Sequence, residues 1–205
     1  MKALEWKQYL ETEQRSNGKT VFTCAELANV ADAPFRSVRV SLNRLQKQGV
    51  LVRYAYGRYG LPGAVTPEIL LPALDSGAYI TGAYALFRHN LITQVPREVC
   101  CFTNRRHNRS RIRETPLGRF MFSCVQPPIY SVPTDGVIAP VEQALCDYVY
   151  MAGQRGLTPT SQVTFSNLER IRVAALTDLM NRYPATVRRN LDIILSRRSQ
   201  MTARS

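Results

Sequence analysis

Apolar residues near the start of the chain recur with a helical period in two successive segments. Thr23 and Glu26 have the spacing of a capping box, which predicts that a helix begins at Cys24 and continues to Val30. After a short turn, a second set of apolar residues forms one stripe along a helix. This stripe consists of Phe35, Val38, Leu42 and Leu45. The pattern therefore predicts two helices separated by a tight turn, the second of them amphipathic.

A tight two-stranded ribbon is predicted directly after the amphipathic helix. Gly49 is placed to end the helix in the left-handed conformation, and Gly57 can supply the positive φ of a turn between strands at 51–54 and 58–61. A further helix is predicted over 3–12. Its inward-facing candidates are Leu4, Trp6 and Leu10. This order of helices and ribbon predicts a winged helix-turn-helix, a module that usually binds duplex DNA.

The polar face of the amphipathic helix predicts contacts with DNA. Arginine can donate two hydrogen bonds to the guanine edge and asparagine can pair with adenine, whereas lysine and serine suit phosphate oxygens. Arginine and tyrosine on the ribbon are suited to the DNA backbone or the minor groove. The predicted DNA-binding residues are Arg36, Ser37, Arg39, Asn43, Arg44, Lys47, Arg53, Tyr56 and Arg58. Val40 also points away from the core. The alternative is an ordinary solvated basic face on a small helical domain.

The remainder of the chain mixes helical and strand patterns. Prolines and glycines near 62–68 predict a linker between a winged helix-turn-helix domain at 1–62 and a second domain at 68–205. Strands are predicted at 98–103, at 119–125 and at Val137-Ile138. Helices are predicted at 68–74, 82–89, 141–151 and 167–181, and from Pro184 to a polar, basic tail at 197–205. The predicted fold class is α+β, with a mixed α/β C-terminal domain.

The densest positive charge lies between the first two strands predicted for the C-terminal domain. Five arginines and one histidine occur within 103–113. The candidates for a second nucleic-acid contact are Arg105, Arg106, Arg109, Arg111 and Arg113. The segment equally fits a docking surface for an acidic partner or a solvated hairpin loop. DNA, RNA and protein therefore remain alternative partners at this position.

Overall composition favours a polyanionic partner and a cytoplasmic location. The formal net charge is +12 and the isoelectric point is about 9.9. No apolar run approaches the ~20 residues of a transmembrane helix, and charges interrupt every apolar run at the N-terminus. We therefore predict no membrane association. The five cysteines are irregularly spaced, which predicts reduced core thiols rather than a zinc site.

Motifs that carry catalytic chemistry do not stand out. The sequence has no GxSxG nucleophile motif and no glycine-rich phosphate loop, so we predict no catalytic residue, no metal and no cofactor. Glu142 and Asp147 are five positions apart on one predicted helix, about 140° around its axis, which is a poor metal pair. The alternative function is a metal-dependent nuclease, or another nucleic-acid enzyme, that uses the winged helix for targeting. A third is a protein-interaction module whose winged helix docks a protein.

Three segments resemble the AbiEi-type antitoxin family of bacterial type IV toxin–antitoxin systems. They are Ser37–Leu61 in the N-terminal module, Tyr79–Pro96, and Ile138–Tyr150. The third segment is similar to a helix of that family with a proline, a glutamate, an alanine-leucine pair and an aspartate. The matching residues are Pro140, Glu142, Ala144, Leu145 and Asp147. The order of the three segments covers most of the chain and is more specific than the N-terminal module alone.

This resemblance implies a two-domain transcriptional repressor that regulates its own operon. The N-terminal domain would bind inverted repeats in double-stranded DNA of its own promoter, an arrangement compatible with a dimer on DNA. The C-terminal domain would support antitoxin activity and cooperative DNA binding. The toxin of such pairs resembles a nucleotidyltransferase and is countered without a stable complex. Glu142 and Asp147 would then be structural, as caps or as partners of arginines.

Overall fold

The computed structural model describes residues 2–106 and 110–202 and confirms a mixed α+β fold. The chain divides into two compact units. The first comprises Met1–Ser76 with Glu114–Gly118, and the second comprises Gly77–Arg113 with Arg119–Ser205. The division thus lies after Ser76, eight residues beyond the end of the linker expected at 62–68. Val65, within that expected linker, is buried. Its Cγ2 atom packs close to Gly60, 3.1 Å from where a β-carbon would lie if Gly60 were alanine.

The N-terminal unit contains four helices and one small sheet within its described residues. The helices are α1 (Ala3–Asn17), α2 (Cys24–Ala31), α3 (Phe35–Lys47) and α4 (Pro67–Leu74). The strands are β1 (Phe22–Thr23), β2 (Val52–Ala55) and β3 (Arg58–Gly60). They pair antiparallel in the order β1-β3-β2, with Phe22 opposite Tyr59. Strand β1 was not predicted, because two residues are too few to show an alternating pattern.

Helices α1, α2 and α3 and the sheet enclose the core of this unit. Its largest fully buried side chains are Trp6, Leu10, Phe22, Leu27, Leu42 and Leu51. The prediction that Leu4 faces inward is wrong: it is 66% exposed, because it lies about 200° around α1 from Trp6. Phe35 is 51% exposed, since it is the first residue of α3 and lies at the end of the stripe. The other three stripe residues of α3 are buried as predicted.

The C-terminal unit packs helices around a four-stranded sheet. Its strands are β4 (Tyr79–Thr81), β5 (Glu98–Thr103), β6 (Ile112–Thr115) and β7 (Gly118–Cys124), in the order β4-β5-β7-β6. Its helices are α5 (Gly82–Arg88), α6 (Val141–Gln154), α7 (Pro159–Gln162), α8 (Val173–Met180) and α9 (Ala185–Thr202). Helix α6 contacts α5, α8, α9 and β4, and its residues 142–149 are all buried. None of the helices in the described residues is long and apolar enough to cross a membrane.

The sheet rules out a simple hairpin loop at 103–113, one of the alternatives left open for this segment. Strand β5 pairs with β7 in parallel, with Val99 opposite Phe120, so the segment between them cannot be a simple hairpin loop. Strand β6 begins at Ile112, inside the predicted loop, and lies beside β7 at the edge of the sheet. An edge strand exposes its side chains, which is why a polar, arginine-rich stretch can form one. The strand predicted at Val137-Ile138 is a single parallel bridge between Ile138 and Ile80.

A break interrupts the single helix predicted over 167–181. The structure has a 3₁₀ turn at Leu168–Arg170, then extended backbone at Ile171 and Arg172, and only then α8. The backbone N–H of Arg172 donates to Oε1 of Glu142 at 3.0 Å. A long-range carboxylate therefore takes a backbone donor that a continuous helix would need, and periodicity in the local sequence carries no sign of it.

Candidate nucleic-acid interface

The site begins with α3, which divides cleanly into a buried and an exposed face. Val38, Leu42 and Leu45 are buried in the core of the N-terminal unit and fix the rotation of the helix. The opposite face is therefore presented to solvent. All six predicted DNA-binding residues of this helix are exposed: Arg36, Ser37, Arg39, Asn43, Arg44 and Lys47.

Positive charge on this face is not compensated locally. Helix α3 contains four cationic residues and no acidic residue. The side chains of Arg36, Asn43, Arg44 and Lys47 form no hydrogen bond or ion pair with any residue that the structure describes. In α1, by contrast, the carboxylate of Glu11 forms two ion pairs: its Oε1 lies 3.9 Å from Lys7 Nζ, and its Oε2 lies 3.6 Å from Arg15 Nη2. The two helices thus differ, since the basic residues of α1 pair with a carboxylate of the same helix and those of α3 have no acidic residue in their own helix.

A complete capping box fixes the start of α2. The Glu26 N–H donates to Thr23 Oγ1 at 3.1 Å, and the Thr23 N–H donates to Glu26 Oε2 at 2.7 Å. Burial raises the pKa of Glu26, but hydrogen bonds from Thr23 and Lys19 outweigh it, so the pKa lies below its usual value. The Cys24 N–H donates to the Gly57 carbonyl at 3.2 Å. This bond ties the first turn of α2 to the turn of the β2–β3 hairpin.

The hairpin presents an aromatic and cationic tip. Tyr56 is 85% exposed, and the Arg53 guanidinium lies 5.3 Å from the centroid of its ring. Gly57 has φ +66°, as predicted for this turn. The third predicted hairpin residue, Arg58, is half-buried in β3 opposite Thr23. The contact holds Arg53 and Tyr56 together as one exposed cationic surface.

The other two hairpin tyrosines serve packing. Tyr54 and Tyr59 are buried, and the Tyr54 hydroxyl donates to the Leu61 carbonyl at 2.8 Å. Burial also raises the pKa of Tyr54. Of the three ribbon tyrosines, Tyr56 is therefore the one that remains available to a ligand.

The arginine-rich segment of the C-terminal unit is only partly described. Arg105, Arg106 and Arg111 are exposed, while Arg109, together with His107, lies outside the described residues. Arg113 is half-buried in β6, and its Nη1 donates to the carbonyls of Ser110 at 2.6 Å and Ile112 at 3.3 Å. The structure thus places Arg111 and Arg113 at an exposed sheet edge and Arg105 and Arg106 just after β5.

Arginine content distinguishes the C-terminal part from the rest of the chain. No lysine occurs after Lys47, and residues 77–205 contain 17 arginines against 8 acidic residues. Two of those acidic residues, Glu142 and Asp147, are buried. The surface of this unit is therefore more basic than its composition alone indicates. Reading the charge of the two halves separately would have revealed this asymmetry from the sequence.

Glu142 and Asp147 belong to separate networks. Glu142 accepts from Arg172 Nε and from the Arg172 N–H, each at 3.0 Å. Burial raises the pKa of Glu142, but the bonds from Arg172 bring it below its usual value. Asp147 accepts from the Tyr183 hydroxyl at 2.6 Å and from Thr81 Oγ1 at 2.7 Å, and it has no arginine partner.

Asp147 is the most perturbed carboxyl among the described residues. It is fully buried, and burial raises its pKa to about 7 against the lowering effect of its hydroxyl donors. The nearby Tyr79 hydroxyl is also buried and has no hydrogen-bond partner among the described residues. No group of three His, Cys, Asp or Glu side chains with metal-binding geometry occurs in the described part of the chain.

The five cysteines are free thiols, and four of them are buried as predicted. The prediction of a core position is wrong for Cys124, which is exposed at the end of β7. Burial raises the pKa of Cys100 to about 11 and that of Cys146 to about 12, so both remain protonated near neutral pH.

No protein-family model matches the chain, and no curated protein matches it in sequence.

Proposed function

We propose that the chain is a sequence-specific DNA-binding transcriptional repressor whose N-terminal unit acts as a winged helix-turn-helix. The observation that carries the proposal is the exposed, uncompensated cationic face of α3. Such a face attracts a polyanion, and arginine and asparagine side chains can pair with the edges of guanine and adenine. The order of α1, β1, α2, α3, β2 and β3 supports the same assignment.

In this proposal α3 lies in the major groove. Arg36 and Asn43 are two helical turns apart and read guanine and adenine edges, while Lys47 and Ser37 bind phosphate oxygens. Helix α2 crosses the backbone, and the hairpin tip with Arg53 and Tyr56 contacts the backbone or the minor groove. Arg39, Arg44 and Arg58 complete the electrostatic surface.

The arginines of the C-terminal unit supply a second nucleic-acid contact in this proposal. This unit contains arginines but no lysine, and this supports the proposed contact. The planar guanidinium binds phosphate with two hydrogen bonds and stacks on bases more readily than the lysine ammonium does. Arg105, Arg106, Arg111 and Arg113 are the described members of this contact, and Arg109 is the fifth. RNA or an acidic protein would satisfy the same charge, so a nucleic-acid competition assay decides among them.

The family resemblance extends the proposal to an antitoxin role. The chain would repress its own promoter and act, in the cytoplasm, as the antitoxin of a type IV toxin–antitoxin operon. Its functional partner would be a nucleotidyltransferase-like toxin, countered without a stable complex. An overlapping downstream reading frame of that type, whose toxicity is relieved when this chain is co-expressed, is the expected finding. Toxicity that co-expression leaves unchanged contradicts the antitoxin role.

A gel shift on the DNA directly upstream of the gene tests the repressor. We expect the full-length chain to bind this DNA at moderate salt even when an excess of unrelated duplex is present as competitor. Arg36→Ala should weaken the preference by ~1–3 kcal/mol. Arg15→Ala is the matched control, because Arg15 is an exposed arginine whose charge Glu11 already offsets in α1. Equal retention of upstream and unrelated DNA would sink the proposal.

The alternative function, a metal-dependent nuclease, gains no support at the two carboxylates that were considered as a metal pair. The Arg172 guanidinium donates a hydrogen bond to Glu142, and the hydroxyls of Tyr183 and Thr81 donate to Asp147. Each carboxylate is thereby committed to its own partners on different elements. Cleavage of duplex DNA with Mg²⁺, lost in Glu142→Gln but retained in Asp135→Asn, would restore the nuclease as the better account.

A further inference from the structure

One apolar residue lies in the middle of the cationic face of α3. Val40 is 49% exposed, and its direction falls roughly 15° from the point opposite the buried stripe. Arg36, Asn43 and Arg44 are its neighbours one turn away on either side, at i−4, i+3 and i+4. Val40 therefore lies, together with Lys47, at the centre of the exposed face of this helix.

Stability of the helix does not account for this valine. A β-branched side chain loses rotamer freedom in a helix, so valine is a poorer helix former than alanine, lysine, glutamine or arginine. An exposed valine also gains little from burial, and α3 already has a complete buried stripe without it. Other exposed apolar residues of the chain, Val173 among them, need no special explanation. What distinguishes Val40 is its place among the cations of α3, where a ligand bound to this face would cover its methyl groups.

We propose that Val40 contacts the 5-methyl group of a thymine in the major groove and thereby selects thymine at one position of the DNA site. The inference rests on the proposed function. In the major groove the thymine methyl is the apolar feature of the base-pair edge, and small apolar side chains are its usual partners. Asn43, one turn from Val40, suits adenine, whose A·T pair presents a thymine methyl beside the adenine edge.

The contact should have a modest, measurable size. Burying one methyl group corresponds to about four-fold in affinity. Uracil lacks only the 5-methyl group of thymine, so replacing one thymine by deoxyuridine removes the contact without changing base pairing. Cytosine and 5-methylcytosine differ by the same group, and comparing them at the same position separates methyl recognition from recognition of the whole T·A pair.

The experiment uses the full-length chain and a duplex that it has selected from a random library. Fluorescence anisotropy measures binding to this duplex and to copies in which each thymine in turn is deoxyuridine. We expect an approximately four-fold loss at one position, and tighter binding of 5-methylcytosine than of cytosine there. In Val40→Ser the thymine–uracil difference at that position should vanish, whereas Val40→Thr, which keeps one methyl group, should retain much of it.

Val173→Ser is the matched control, because Val173 is 47% exposed and lies on α8 in the other unit. This substitution should leave the difference between thymine and uracil unchanged. Equal binding of thymine and uracil at every position overturns this inference alone, as does undiminished discrimination in Val40→Ser. Selection that yields no preferred sequence overturns the proposed function, and this inference with it. The two failures are therefore distinguishable.

Discussion

Arg36 and Asn43 show how the chemistry of single residues depends on the face they occupy. Both lie on a helix whose rotation is set by three buried apolar residues, so their exposure follows from packing on the opposite side. Neither has an intramolecular partner among the described residues. Their donors and acceptors therefore remain available, and a base edge can use them without first breaking a bond within the protein.

Replacing Asn43 by alanine should relax sequence preference at one position of the DNA site. The expected loss is ~1–3 kcal/mol for the preferred base at that position, with little change elsewhere. Lys47→Ala is the comparison, because a phosphate contact should weaken binding to all sequences alike. Affinities for a panel of singly substituted duplexes give both results. A uniform loss in Asn43→Ala would assign this residue to the backbone instead.

Asp147 should make the C-terminal unit more stable at lower pH. Its pKa rises from an ordinary value near 3.9 to about 7 on folding, so the folded state binds the proton more tightly. The resulting stabilisation is fully present below the unfolded pKa and is lost as the pH rises through about 7. Tyr183 and Thr81, which donate to this carboxylate, keep the shift from being larger.

Urea unfolding followed by far-UV circular dichroism at pH 5, 6, 7 and 8 measures this effect. The unfolding free energy of the wild type relative to Asp147→Asn should fall across this range, by at most ~1.4 kcal/mol per pH unit. The amide cannot ionise, so the variant removes only this titration. A difference that stays constant with pH would show that Asp147 has an ordinary pKa.

At the scale of the element, the sequence predicted those helix starts and turns that depend on residues close together in the chain. The capping box at Thr23 and Glu26 and the glycines at 49 and 57 depend on residues close in sequence, and all are present. Strand β5 was predicted from its apolar run although its partners, β4 and β7, are about twenty residues away. Strand β1 and the break before α8 depend on partners far along the chain, Tyr59 and Glu142. Periodicity contains no information about such partners.

The same distinction applies to the candidate interface. The exposed face of α3 could be predicted because amphipathicity is a local pattern. Of the three ribbon tyrosines, Tyr56 alone was predicted at the exposed tip, and it is the exposed one. The hydrogen bond from the Tyr54 hydroxyl to the Leu61 carbonyl could not be predicted, because it requires the folded hairpin. The stacking of Arg53 on Tyr56 also requires the folded hairpin.

Removing the cap of α2 should destabilise the N-terminal unit by ~1 kcal/mol. Thr23→Ala eliminates the acceptor for the Glu26 N–H, so one backbone donor at the helix start loses its partner. Trp6, the single tryptophan of the chain, is buried in this unit, and its fluorescence reports the unfolding transition. Thr12→Ala, inside α1, is the control. An equal effect of the two substitutions would mean that the cap contributes nothing specific.

On the scale of the whole molecule, positive charge is distributed unevenly. Glu142 and Asp147 are buried in the C-terminal unit, so the surface of that unit is more basic than its composition indicates, whereas Asp75 is the one buried carboxyl described in the N-terminal unit. If six phosphates are neutralised in all, log affinity should fall with log salt at a slope near −5, about 0.9 for each phosphate contact.

Replacing four arginines of the C-terminal unit by alanine tests its share of this charge. We expect the combined substitution of Arg105, Arg106, Arg111 and Arg113 to make the salt slope shallower by up to ~3.6, since each lost phosphate contact removes about 0.9. Preference among sequences should persist, because α3 is unchanged. An unaltered slope would place the C-terminal arginines away from DNA and favour RNA or protein as their partner.

The central claim is that α3 reads sequence, and the ratio of specific to non-specific affinity tests it most directly. The full-length chain should bind a duplex selected from a random library at least ~10³-fold more tightly than a permuted duplex of the same composition, at a fixed 150 mM salt. The double variant Arg36→Ala, Asn43→Ala should lose most of this ratio of specific to non-specific affinity. Equal affinity of the wild type for both duplexes would contradict the account.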